Sequence, residues 1–372
     1  MIIKKVTLRN FRNYEQLTIE FDQGIQMLLG KNGKGKTNFL ESIYFLSCMR
    51  SHRVKDNIDL IQKGKSFLSI EMEIISPKQK QTLKCIVTNK GKNLYIQRTN
   101  IKKVSDFIGQ LNAVLFCPSD MKLFTASPKV RRMFIDLELG KLSKQYTKTL
   151  NEYYRLLKER NAFLKKEDLD LKYLQVLNEQ MIESQCIIIE QRMKYCEDLI
   201  KHAQSYFQQL DKENHLLSCD YLSFVKYQSW DKMKADMLVK YDRSFERDLY
   251  YKNTEVGIHK DDFLFKMDGQ DVDCYASQGQ TRSYLLALKF GIAKTVQEIK
   301  HNYPVILLDD VFSELDDVHR HQLLSLLASE FKDAQIFITS TEKIILDHAN
   351  VHYFLVDQGN IIEAKEEESW KN

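Results

Sequence analysis

Gly30-Lys31-Asn32-Gly33-Lys34-Gly35-Lys36-Thr37 satisfies G-x-x-x-x-G-K-[ST]. It stands between an apolar run ending at Leu29 and TNFLESIYFL, where Leu40, Ile43 and Tyr44 recur at helical spacing. The chain has only 13 glycines in 372 residues, and three fall in these eight positions. Strand, glycine loop and helix in that order give the loop a mechanism. Glycines let backbone N–H groups turn inward around phosphate oxygens, and the helix N-terminus adds its dipole. Lys36 reaches the β and γ phosphates of a nucleotide, and the Thr37 hydroxyl ligates magnesium. Gly30, Lys31, Asn32, Gly33, Lys34, Gly35, Lys36, Thr37 and Asn38 are therefore the candidate ATP-binding residues. A Gly/Lys-rich surface turn is the bland alternative, and the flanking elements speak against it.

Such a loop needs a carboxylate for the metal. PVILLDDV supplies one: Val305 to Leu308 read as a buried strand ending in Asp309 and Asp310. Asp309 should anchor magnesium, directly or through water. Asp310, with Lys36, is the catalytic candidate, placed to orient or polarise the attacking water. Lys36 and Asp309 are 273 positions apart, so something large is inserted between them. Lys141 to Val256 contains neither glycine nor proline over 116 residues. Apolar series from Leu139 to Leu164 and from Leu174 to Leu210 predict two long, antiparallel helices that reverse at KKEDLDLK, an arm of about 50 Å at most. Just ahead of the acidic strand, Ser277-Gln278-Gly279-Gln280 precedes a helix and offers a second phosphate-binding surface. One chain cannot usually bring both surfaces to one phosphate, which points to two chains sandwiching ATP.

KKVTLRNF and EQLTIEFDQGIQMLL alternate as strands, as do FLSIEMEII, TLKCIVT and LYIQR, with Asn89-Lys90-Gly91-Lys92 as a hairpin turn. The net charge is +4, yet Ile74 to Ser105 holds eight cations and no Asp or Glu, leaving −4 for the rest. Such a stripe suits nucleic acid or is a solvated face. The seven cysteines lack a CxxC pair, so neither a disulfide framework nor a zinc site is indicated. No membrane span or signal peptide is read, and a cytoplasmic protein is expected. A GTPase is disfavoured because NKxD is absent.

VTLRNFRNYEQLTIEF, GKNGKGKTN, RSHR (50 to 53), SPKVRRMFID (127 to 136), GIHKDD (257 to 262), SQGQ and LLDDVFSELD (307 to 316) together resemble the bacterial RecF family, relatives of the SMC and ABC-type ATPases. The resemblance implies an α/β fold. An ABC-type ATPase head over 1–125 and 257–372 would carry a small antiparallel basic β lobe at about 64–105, with an inserted, mostly helical arm over 126–256. It implies an ATP-dependent DNA-binding protein of recombinational repair and the SOS response, a weak DNA-stimulated ATPase. With ATP and Mg2+ it would form a homodimer that clamps gapped DNA, and it would act with RecR, RecO and RecA. Ser277 to Gln280 would be the signature acting in trans, and Ser313 and Asp316 would belong to the dimer-interface D-loop. Lys31 stands where Glu is frequent, and Ser119 replaces a common Glu. For DNA, the candidates are Arg50, Arg53, Lys78, Lys80, Lys90, Lys92, Arg131 and Arg132. With Ser127 as N-cap and Pro128 as first helical position, Lys129, Arg131 and Arg132 sit at the N-terminal end of a helix whose dipole disfavours cations, which suggests an anionic partner or a neighbouring acidic surface. An SMC-like ATPase coupled to DNA cleavage is the alternative, although the residues after Asp310 hold no further acidic constellation.

Overall fold

The computed structural model describes residues 1–77, 79–211, 213–344 and 350–364. The chain begins with β1 (Ile2–Phe11), β2 (Tyr14–Glu20), β3 (Ile25–Leu29) and α1 (Lys36–Cys48). β4 (Phe67–Ile75), β5 (Lys80–Thr88), β6 (Gly91–Ile96), β7 (Thr99–Ile101), α2 (Val104–Phe107) and β8 (Ala113–Phe116) follow. Next come α3 (Lys122–Thr125), α4 (Pro128–Leu142), α5 (Lys144–Phe163), α6 (Leu171–Leu210), β9 (Leu217–Leu222) and α7 (Trp230–Tyr251). β10 (Asp262–Met267), β11 (Gln270–Asp271), α8 (Val272–Tyr275), α9 (Gln278–Lys300) and β12 (Val305–Leu308) lead to α10 (Asp317–Glu330), β13 (Ile336–Ser340), β14 (Val351–Asp357) and β15 (Asn360–Glu363).

Two compact units result: Met1–Asp120 with Ser205–Asn214 and Arg282–Asn372, and Met121–Gln204 with His215–Thr281. The first contains a sheet of order β15-β14-β3-β13-β12-β8, parallel except for the β15 edge, and an antiparallel sheet of order β2-β1-β4-β5-β6-β7. β3 is buried at all five positions, the mark of a strand covered on both faces. One hydrophobic core takes in Val6 and Leu8 of the antiparallel sheet, Phe39, Leu40 and Ile43 of α1, and Val305 and Phe337 of the parallel sheet. α1 is thus buried nearly all round, which accounts for the apolar density of FLESIYFL.

The run EQLTIEFDQGIQMLL, read as one strand, is two. β2 pairs antiparallel with β1, and β3 enters the other sheet. Gly24 permits the switch, because its φ is +108° and a Cβ there would approach Asn350 O to 2.5 Å. The basic lobe is also larger than 64–105: β1 pairs with β4 (Val6 opposite Met72), so the first twenty residues belong to the same sheet. Its β5–β6 hairpin does turn at Asn89-Lys90, with Thr88 opposite Gly91.

In the second unit the apolar series from Leu139 crosses a helix break at Ser143, whose hydroxyl caps α5 by accepting from Tyr146 N. α5 and α6 run antiparallel, since Arg160 bonds Asn178 while Arg192 bonds Tyr146. Residues 257–281, assigned from sequence to the head, lie in this unit because β10 pairs with β9 over Asp262 to Met267. No helix among the described residues is long and apolar enough to cross a membrane.

Arg192 organises the GIHKDD segment. It is fully buried and donates to both Asp136 oxygens (3.0 Å each) and to Ile258 O (3.3 Å), and lies 3.5 Å from Asp261. His259 bonds Tyr153 OH (2.6 Å) and Thr254 O (3.1 Å), and burial lowers its pKa to about 4. Burial also raises Asp261 to about 6, against the pull of Arg192. The two act in opposite senses: His259 removes stability as pH falls from about 6.5 toward about 4, whereas Asp261 removes stability as pH rises from about 4 to about 6. His259→Gln, which abolishes the first titration, is expected to make the second unit less acid-sensitive than the wild type. Urea midpoints at pH 7 and pH 4.5 check this; parallel pH profiles for the two proteins would count against it.

Candidate nucleotide-binding site

The loop from Gly30 to Gly35 joins the end of β3 to α1, and Gly35 has φ +118° at the helix N-cap. The neighbouring strands fix what faces it. β12 lies beside β13 with Leu308 opposite Ile338, and β13 lies beside β3 with Thr339 opposite Leu28. Asp309, Thr339 and the loop consequently converge. The Thr37 hydroxyl donates to Asp309 Oδ1 (2.9 Å), the Thr339 hydroxyl donates to the same oxygen (2.8 Å), and Thr339 Oγ1 accepts from Asp310 N (2.8 Å). Burial raises the Asp309 pKa, and the two hydroxyls oppose that rise. Asp310 takes the left-handed conformation, φ 52°, and its carbonyl accepts from the Ser313 hydroxyl.

Lys36 is buried and donates to the carbonyls of Gly30 and Lys31 (3.1 Å to the latter). Desolvation lowers its pKa while Asp310 and Asp309 raise it. Lys31, Asn32 and Gly33 are exposed, and nothing lies within 4 Å of a Cβ built on Gly33, so the loop's rim is open. Lys34 pairs with Asp357 (2.8 Å).

Asn13, Tyr14 and Glu41, which carry no phosphate-binding motif, brace this loop together with Arg53. Asn13 donates to Lys34 O (3.3 Å) and accepts from Asn38 Nδ2 (2.7 Å), while Tyr14 OH donates to Gly35 O (3.0 Å). Arg53 donates to Asn38 Oδ1 (2.7 Å) and lies 3.5 Å from Glu41, which is fully buried on α1 and forked by Arg12 at 2.9 Å twice. Burial pushes the Glu41 carboxyl up, but Arg12 and Ser51 hold it below its usual value. A glutamate inside FLESIYFL was the available signal, since a buried charge needs a partner.

A hydroxyl and a carboxylate oxygen 2.9 Å apart are hard donors of the kind magnesium takes alongside nucleotide phosphates, so Thr37 and Asp309 fit that ion. Thr339→Val is isosteric and deletes the hydroxyl shared by Asp309 and Asp310. It should cost about 1–3 kcal/mol of stability without nucleotide, whereas Thr339→Ser, which keeps the hydroxyl and loses one buried methyl group, should cost less. Thermal midpoints decide, and an unchanged valine variant would refute the role.

Ser277 and Gln280 open α9 in a reciprocal cap: Gln280 N donates to Ser277 Oγ (3.2 Å) and Ser277 N donates to Gln280 Oε1 (2.9 Å). Ser277, Gln278 and Gly279 are exposed. Asp316 caps α10 by accepting from His319 N (2.9 Å).

The DNA candidates fare unequally. Lys78 lies outside the described residues. Lys80 pairs with Glu73 (3.0 Å) and Lys84 with Glu71 (2.8 Å), because β5 faces the acidic positions of β4. The basic stripe is therefore partly neutralised across the strands. Lys92 turns inward, donating to Met49 O (2.5 Å) at the C-terminus of α1 and lying 5.1 Å from the Phe45 ring. Arg131 is buried and forks Asp262 at 2.8 and 2.7 Å, and Arg132 donates to Asp261 O. Arg131 thus has its acidic neighbour in Asp262, whereas Arg132 and Lys92 donate to backbone carbonyls, so all three are engaged within the protein. Arg50, Arg53 and Lys90 are exposed.

Comparison with known proteins bears on the same architecture. Residues 2–363 match the family described as RecF/RecN/SMC N terminal domain. The chain is 37% identical over 371 residues to the DNA replication and repair protein RecF of Streptococcus gordonii, covering 97% of this chain and 100% of that one. It is 36% identical to the protein of that name from Streptococcus suis, over 98% and 100%. Among solved structures it superimposes on the recombination mediator protein RecF-ATP with TM-score 0.90 and 28% identity, covering 98% and 97% of the two chains. An SMC head, at TM-score 0.57 and 16% identity over 99% of both chains, shares the fold. The chain belongs to the RecF family, with the α/β architecture of SMC and ABC-type ATPase heads.

Proposed function

We propose that this protein is an ATP-switched DNA-binding dimer of recombinational repair. Two copies sandwich two ATP molecules, with Ser277 to Gln280 of each closing over the triphosphate held by the other. The observation that carries this reading is the joint between Thr37 and Asp309 beside Lys36, together with an exposed serine turn that opens α9 and can offer its N-terminus to an anion. Lys36 would leave the loop carbonyls for the β and γ phosphates. Magnesium, held by Thr37 and Asp309, would neutralise charge on the phosphates. Asp310 would orient the attacking water, and slow hydrolysis would reopen the dimer. The names of its relatives support a place in replication and repair, and the RecFOR pathway named for the solved RecF structures supports RecO and RecR as partners. Loading of RecA at single-strand gaps follows from the resemblance. Arg50, Arg53 and Lys90 remain as candidate phosphate contacts, so DNA affinity should fall steeply with salt.

The deciding experiment is molecular mass by light scattering with and without ATP and magnesium, and with and without a gapped duplex. Mass should double with nucleotide, and the complex should persist on DNA. A protein that stays single at every concentration would overturn the reading.

A further inference from the structure

Gln280 Nε2 lies 3.0 Å from His215 Nε2, and His215 Nδ1 lies 2.6 Å from Asp268 Oδ2. We propose that the Asp268–His215 pair is a positioning device for the serine turn, holding Gln280 so that Ser277 presents its hydroxyl to the partner's nucleotide. The inference rests on the sandwich reading above and adds residues to it.

Donor and acceptor roles along this chain follow from the singly protonated ring of His215. The Asp268 carboxylate accepts, so Nδ1 of His215 donates, and Nε2 of a ring that carries one hydrogen accepts from the Gln280 amide nitrogen. The Gln280 amide must then direct its nitrogen at His215 and its oxygen at Ser277 N, which is the arrangement seen at 2.9 Å. Ser277 Oγ in turn accepts from Gln280 N, leaving its own hydrogen for an incoming phosphate oxygen. Turned over, the Gln280 amide would set nitrogen against Ser277 N–H and break the cap.

Asp268 is itself immobilised. It and Gly269, with φ 51° and 78°, form the two-residue turn between Met267 and Gln270, which pair across β10 and β11. Asp268 Oδ1 accepts from Leu216 N and Asp268 N donates to Leu216 O, both at 2.8 Å. His215 is held from its other side by Gln204, which donates to His215 O (2.9 Å) and accepts from Leu217 N (2.7 Å). The rigid β9–β10 pair is thereby tied to the first turn of α9 through one imidazole.

Two conservative replacements separate this role from a merely structural one. A glutamine at 215 ends near the place of Nε2 and can accept from Gln280, whereas an asparagine ends near Nδ1 and can reach only Asp268. His215→Asn and His215→Ala should weaken ATP-driven dimerisation about tenfold, with binding of a fluorescent ATP analogue by the single protein unchanged. His215→Gln should dimerise within about twofold of wild type. Amide hydrogen exchange at Gln280 and Thr281 should speed up about tenfold in the Asn and Ala variants and not in the Gln variant. Dimerisation of His215→Asn at the wild-type level, or exchange that His215→Gln fails to restore, overturns the proposal. If the wild type does not dimerise with ATP and magnesium, the sandwich reading falls instead, and the exchange rates still decide whether His215 orders the turn.

Discussion

Asp310→Asn is expected to slow ATP hydrolysis by about 10²–10⁴-fold and to leave the ATP-bound dimer standing on DNA. The substitution is mild for the backbone. Asp310 sits at φ 52°, a conformation asparagine tolerates, so its N–H bond to Thr339 and its carbonyl's bond from Ser313 should survive. Only the negative charge disappears. Lys36, Thr37 and Asp309 are untouched, so nucleotide capture should persist, and the nearby ammonium of Lys36 loses one of the two carboxylates that raise its pKa. Phosphate release measured together with mass on a gapped duplex gives the answer. Undiminished hydrolysis would take Asp310 out of the reaction.

The second large effect concerns stability. Arg192→Met replaces a fully buried guanidinium by a shorter, apolar chain and strands two partners: Asp136, which it forks, and Asp261, which is buried. Breaking a buried pair from one side costs about 3–5 kcal/mol, because the remaining charge is left without compensation. Trp230 lies in the second unit and Trp370 is the only other tryptophan, so fluorescence in a Trp370→Phe background follows this unit in urea. A lowered midpoint with unchanged slope is expected. A loss under about 1 kcal/mol would mean that Asp136 and Asp261 find other partners.

Asp310 illustrates what a sequence makes legible. Asp310 stood out because a strand of four apolar residues ends in it, and Lys36 and Thr37 because glycines set them at fixed spacing. In each case neighbours in sequence carry the chemistry. Thr339 was invisible, since it meets Asp309 only through the lateral pairing of β12 and β13, and nothing near it in sequence sets it apart. Asn13 and Tyr14 reach the loop for a similar nonlocal reason. The split of EQLTIEFDQGIQMLL between two sheets was hidden because alternation records which face is buried and not which sheet receives the strand. Charge misled at Lys92, while at Arg131 it called for an acidic neighbour and Asp262 is that neighbour. The stripe follows the chain, whereas Lys92 turns inward to the carbonyl end of α1, which no neighbour in sequence announces.

The order β14-β3-β13-β12 also bears on how the molecule is made. β3 emerges early from the ribosome and its flanking strands emerge last. The Thr37–Asp309 joint spans 272 residues, on the order of tens of seconds of translation. A nascent or prematurely terminated chain therefore carries the glycine loop without Asp309, and the Thr37–Asp309 bond closes only once nearly the whole chain is made.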